Sequence, residues 1–278
     1  MFKFNMSTMI YNSLAPNVKL PFRIVRGSVA QRNEKAANYV TKLYEDLHPK
    51  FSHGKVTIND VRESVDKVIG EKRKVRVFQN PENDKVSGGQ DVLLSDFNEK
   101  ISAVTLEIDS DKRYFKMADL ITIVHEFQHV ADMFFHPKYL SRYQYMATND
   151  LYTKRYDKFL EEFFYKDVER GKGKAKFLKK LEYKLVKFLK RVPKGEKFTY
   201  IQDIRYELLA EMQAYKTQLK YAKKLDKRHE KVYAEDLDDV NALYLFKEKL
   251  KILKKVAKDT IRKERLNMEK RQRRFKKS

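Results

Sequence analysis

The sequence predicts an α+β fold, predominantly helical, with a small N-terminal mixed sheet and a helical, basic C-terminal half. Three observations carry that expectation. Apolar residues alternate over short stretches only in the first 110 residues, as at Val104, Leu106 and Ile108. After Pro137 they recur at helical spacing almost without a break. Charge is also unevenly divided. Residues 1–150 carry 22 Lys and Arg against 19 Asp and Glu, whereas 151–278 carry 39 against 20, so nearly all of the net +22 lies in the second half.

Taken in order, Phe22 to Val25 and Lys74 to Phe78 read as short strands, with helices over Ala30 to Leu47 and Thr57 to Lys72 between them. Asn80-Pro81-Glu82-Asn83-Asp84 and Ser87-Gly88-Gly89 read as turn or loop. Ser102 to Ile108 alternates like a half-buried strand. A polar turn at Asp109-Ser110-Asp111 leads to an apolar helix, 117–135, that runs to Pro137. Four helices follow: Asp150 to Arg170, closed by Gly171-Lys172-Gly173; Ala175 to Arg191, ended by Val192-Pro193; Tyr200 to Leu225; and Asp236 to about Leu266. In the last, Leu243, Leu245, Phe246, Leu250, Leu253 and Val256 form the apolar stripe. The expected organisation is one domain over 1–225 and a basic helical extension and tail over 226–278.

With 278 residues, 42% hydrophobic and 13% aromatic, the chain can bury a sizeable core and is not of disordered composition. It has no cysteine, which excludes disulfides and thiolate metal sites and suits a reducing compartment. Met1 to Leu20 lacks the continuous apolar run of a signal peptide, and no stretch approaches the roughly 18 apolar residues of a membrane span. The expectation is a cytoplasmic protein.

The chemistry is concentrated in His125-Glu126-Phe127-Gln128-His129. Histidine is rare here, six in all, yet two stand four apart on one helix face, close enough to share a cation. The carboxylate between them lies where it can act on water. Ile121, Val124, Phe127, Val130 and Phe134 give this helix its apolar face. This His-Glu-x-x-His pattern is the zinc-metallopeptidase signature, with His125 and His129 as ligands and Glu126 as general base. One Zn2+ per chain is expected.

A catalytic zinc takes a third protein ligand. A three-histidine scheme needs His at 135 and Gly at 132, but these positions hold Phe135 and Asp132, and His136 is one residue late. Arg205-Tyr206-Glu207-Leu208-Leu209-Ala210-Glu211 instead puts two acids four apart on one helix face. Here the chain resembles the gluzincins, in which Glu-x-x-(Ser/Ala)-(Asp/Glu) follows the His-Glu-x-x-His helix. The resemblance implies a zincin-like metallopeptidase core, with Glu207 as zinc ligand and Glu211 hydrogen-bonding a ligating histidine. Glu211 as ligand is the alternative, because Glu211-x-x-Ala214-Tyr215 also looks like a ligand helix. His125 to Asp132, with the later acids, is similar to the catalytic domain of the anthrax lethal factor type. That similarity implies an oxyanion-assisting tyrosine seven residues before the ligand Glu, at Tyr200. Asp132 reads equally as an acid supporting the site or as a surface residue.

The expected activity is peptide hydrolysis on a protein or peptide substrate. By analogy with zincins, Ser102 to Ile108 would pair with that substrate as an added strand. The competing reading is a basic helical nucleic-acid-binding or structural protein in which the motif is incidental. Lys176 to Lys190, with Phe177, Leu178, Leu181, Leu185, Phe188 and Leu189 on one face and lysines over the rest, suits non-specific contact with nucleic acid or another polyanion. Lys outnumbers Arg there, which argues against specific base reading.

Overall fold

A computed structural model describes residues 28–70, 75–80, 87–94, 101–110, 112–136, 139, 142, 145–146, 149–160, 163, 174–193, 196–226 and 236–275. Among the described residues the chain is predominantly helical with one small sheet. Its elements are α1 (Val29–His53), α2 (Ile58–Ile69), β1 (Val75–Asn80), β2 (Ser87–Leu94), β3 (Ile101–Asp109), α3 (Met117–Phe135), α4 (Asp150–Leu160), α5 (Lys174–Arg191), α6 (Lys197–Asp226) and α7 (Asp236–Phe275). The strand expected over Phe22 to Val25 and the helix end expected around Gly171 lie outside the described residues.

The chain divides into two compact units, Met1–Thr153 with Gln213–Val240, and Lys154–Met212 with Asn241–Ser278. Each unit is thus built from two stretches of chain, where the sequence suggests a single break at 225/226. The helix α6 runs unbroken through the division.

In the first unit, both opening helices carry reciprocal caps. Ser28 accepts from the Gln31 N–H while the Gln31 side chain accepts from the Ser28 N–H, and Thr57 and Asp60 do the same for α2. Gly70 ends α2 at φ 74°, a left-handed position that glycine takes without strain. Ala36, Val40, Leu43, Leu47 and Phe51 repeat at helical spacing along α1 and are buried. They join Val61 and Val65 of α2, the sheet, α3, and Tyr221 and Leu225 of α6 in one core.

The sheet has the order β1-β3-β2, with β1 parallel and β2 antiparallel to β3. Val75 and Val77 point inward while Arg76 and Phe78 are exposed. Two sequence expectations change here. Ser87-Gly88-Gly89 is not a loop but the start of β2, paired with Asp109, Ile108 and Glu107. Pairing with a distant strand overrides what two adjacent glycines favour locally. β3, expected to receive substrate, is central, and its backbone groups are taken by neighbours on both sides. Among the described strands, the edges are β1 and β2.

The link from sheet to α3 is closely tied. Ser110 N–H donates to the Asn80 carbonyl at 2.7 Å, and the Gln79 amide donates to the carbonyls of Ser110 and Lys112, each at 2.8 Å. The Asp119 carboxylate accepts from the Lys116 N–H at 2.7 Å and closes the first turn of α3. These bonds fix where α3 begins, and therefore where its histidines stand.

The second unit is helical. Leu181, Leu185 and Leu189 of α5, four apart, are buried with Tyr156, Phe159, Phe163, Tyr200, Ile204, Leu208, Phe246 and Leu253. Of the stripe expected on α7, Phe246, Leu250, Leu253 and Val256 are buried, while Leu243 and Leu245 are half-buried. Lys249 is buried in this apolar region, its ammonium 5.4 Å from the Phe163 ring centre and 5.6 Å from that of Phe246. Among the described residues, no helix is long and apolar enough to cross a membrane.

Candidate metal centre

The helix α3 is apolar around most of its circumference, as a buried helix must be, and 14 of its 19 residues are buried. Against that background four of its buried polar side chains form one stripe, with Asp119 of the first turn standing apart. His125, Gln128, His129 and Asp132, at positions i, i+3, i+4 and i+7, share a face. Buried polar groups cost free energy unless they find partners.

Several of those partners come from α6. The Thr217 hydroxyl donates to the Gln128 side-chain carbonyl at 2.9 Å, and the Gln128 amide donates to Asp132 at 3.0 Å. His125 Nδ1 lies 2.7 Å from Gln218 Oε1. Because that oxygen can only accept, Nδ1 carries the proton and His125 keeps the Nε2 lone pair for another partner. The Tyr215 ring stands edge-on to His125 at 4.8 Å between centres, and the two histidine rings are 5.1 Å apart at 69°.

Potential ligand atoms of His125, His129 and Glu211 all lie within 4.8 Å of one another. Glu211 stands two residues before the division between the units, on the same helical turn as Ala214 and Tyr215 of the first. Two imidazoles and a carboxylate are the donor set of a catalytic zinc site that leaves one position open. The His125 tautomer set by Gln218 is the outer support such a ligand requires. The residues therefore fit the ion expected from the sequence.

The third member differs from the expected ligand. Glu211, not Glu207, is gathered with the histidines. Glu207 is buried one helical turn earlier on α6 and does not join that group. The part assigned to Glu211 by the gluzincin resemblance, a hydrogen bond to a ligating histidine, is taken for His125 by Gln218. Glu126 is partly exposed, unlike the two histidines beside it. Tyr200 is fully buried in the second unit, its ring 5.2 Å from Phe188 and 6.1 Å from Tyr156 between centres, as a packing tyrosine is.

Asp132 is buried rather than on the surface. Its burial pushes the carboxyl pKa up to about 7, against the opposing effect of the Gln128 hydrogen bond. His136, just past the helix, is pulled down to about 4, first by burial and then by the positive charge of Arg32.

The sequence singles out neither Thr217 nor Gln218, and singles out Tyr215 only as part of the alternative ligand-helix pattern. Gln218 follows Glu211 by seven residues, hence on the same helix face, and this spacing was the available signal. Compared with known protein families, curated proteins and solved structures, the chain matches none.

Proposed function

We propose that the chain is a zinc-dependent peptidase, with His125, His129 and Glu211 as metal ligands and Glu126 as general base. The observation that carries this reading is the convergence of those three donors, two of which flank the partly exposed Glu126 in sequence. When bound, Zn2+ would acidify a water molecule and polarise the carbonyl of the scissile bond. Glu126 takes the proton from the attacking water and returns it to the leaving amine nitrogen, so the peptide C–N bond breaks as the new C–O bond forms. Gln218 holds His125 in the tautomer that presents Nε2. The Thr217–Gln128–Asp132 chain keeps the polar face of α3 satisfied and its rotation fixed.

The gluzincin resemblance supports the reaction class. Its ligand assignment does not carry over unchanged, because the gathered carboxylate is the second acid of the pair. An extended substrate would have to use an edge strand, β1 or β2, or lie across the site without sheet pairing.

Metal analysis tests the ligand set. Purified protein should bind one zinc per chain, and His125→Ala should lose it. Glu211→Gln should weaken binding by more than the roughly 10–100-fold that loss of an outer partner costs, and Gln218→Leu by about that range. Glu207→Gln should leave zinc affinity close to that of the unaltered chain. Chelator competition measures all four. No zinc binding by the unaltered protein would remove the proposal, and loss through Glu207 instead of Glu211 would reassign the third ligand.

A further inference from the structure

The second unit contains a groove of about 560 Å³ that has no part in the metal site. Its walls come from α4, α5 and Phe163. Among its described lining residues six are cations, Arg155, Lys158, Lys180, Lys184, Lys187 and Arg191, and none is acidic. The other four are aromatic: Phe159, Phe163, Tyr183 and Phe188.

The sequence produces this surface by simple periodicity. Lys180, Lys184, Lys187 and Arg191 occupy positions i, i+4, i+7 and i+11 of α5, one cationic seam about 16 Å long at 1.5 Å per residue. Arg155 and Lys158 extend it from α4. Like charges at this spacing repel and cost the helix stability, so the seam gains from a polyanion that spans it. Glu182 pairs with Lys255, outside the lining residues, at 2.8 Å, and Arg155 meets Glu196 in a part-exposed pair at 3.4 Å.

The aromatics separate this groove from an ordinary solvated lysine face. Phe159 stacks on Phe188 at 4.0 Å and on Phe163 at 5.0 Å between ring centres, making an apolar floor. Tyr183, on the helix that carries the seam, is 66% exposed. An exposed ring amid cations offers a stacking surface to a flat base while the lysines meet the phosphates on either side. The groove volume is that of a small-ligand pocket, so it admits single bases with their phosphates.

We propose that this groove binds single-stranded nucleic acid without sequence preference, Tyr183 stacking a base and the Lys180–Arg191 seam tracking the backbone. The inference stands whether or not the metal site hydrolyses peptides. Its test is fluorescence anisotropy of the full chain with labelled oligo(dT) and oligo(U), set against duplex DNA, heparin, poly-glutamate and anionic vesicles across a salt series.

Both single strands should bind more tightly than the duplex. The logarithm of affinity should fall linearly with that of salt, by about 0.7 per phosphate neutralised. Tyr183→Ala should weaken single-strand binding by about 5- to 140-fold, leaving the salt slope and heparin binding unchanged. Lys180→Ala and Lys187→Ala should each reduce the slope by about 0.7. Lys254→Ala with Lys258→Ala, exposed on α7 and outside the groove, controls for general charge. All of these positions are exposed, and circular dichroism confirms that the variants fold. If Tyr183→Ala has no effect, or if duplex, heparin, poly-glutamate or vesicles bind as well as the single strands, the proposal fails. It also fails if the α7 control matches the loss from the groove variants.

Discussion

Glu126→Gln should lower peptide hydrolysis by about 10²–10⁴-fold, the range attributed to a positioned general base, while zinc content stays at one per chain. The substitution keeps the shape of the side chain and removes its ability to accept a proton. Glu126 is partly exposed and does not belong to the gathered donor group, so metal binding should not depend on it. Cleavage of a proteome-derived peptide library, read by mass spectrometry, detects hydrolysis whatever the preferred substrate. Activity unchanged in Glu126→Gln would remove Glu126 as base. Absence of cleavage by the zinc-loaded, unaltered chain would remove the peptidase reading and leave a metal site of another use. Cleavage lost together with zinc would place Glu126 among the groups that hold the ion.

The legible part of this site was the part encoded locally. Four-residue spacing puts His125 and His129 on one face of any α-helix, and the apolar residues around them require that helix to be buried. Which acid is gathered with the histidines is not encoded locally. Glu207 and Glu211 lie one turn apart on α6, and the choice between them depends on how far α6 slides along α3, which neither segment records by itself. Gln218 and Thr217 were passed over for a related reason. In a segment crowded with charge they look like solvent-facing residues, yet they complete polar groups on a helix about 90 residues away in the sequence.

Strand β2 shows the same limit in the sheet. Gly88 and Gly89 favour a turn, and only their pairing with Ile108 and Glu107 makes them a strand. That pairing also closes the second side of β3 and removes it as a platform for substrate. Lys249 stands on the apolar face of α7, three residues after Phe246 and four before Leu253, and two phenylalanine rings flank its ammonium in the second unit.

Asp132→Asn should stabilise the metal-free protein, and by more as pH rises from about 4 to about 7. Burial holds the Asp132 carboxyl at about 7, against an ordinary value of 3.8. Between those values the native chain keeps a proton that the unfolded chain has released, so Asp132 makes stability fall with rising pH through that window and level off above it. At about 1.36 kcal/mol per pH unit, the full effect is on the order of 4 kcal/mol. His136 acts in the opposite sense. Its ring is held near 4, from an ordinary 6.5, so unfolding takes up a proton between those values and stability rises with pH. In the unaltered chain the two slopes oppose each other up to about pH 6.5. Asparagine retains the oxygen that accepts from Gln128 and carries no charge, which leaves the His136 slope exposed. Urea unfolding at pH 4, 5.5, 7 and 8 should therefore show the two proteins nearly equal at pH 4 and furthest apart at pH 8, with the variant the more stable. A gap that does not change with pH would refute the burial argument. Zinc titration of the same variant tests the other role open to Asp132. A 10–100-fold loss of zinc affinity would mean that its carboxylate orients the metal ligands through Gln128, beyond satisfying the face of α3.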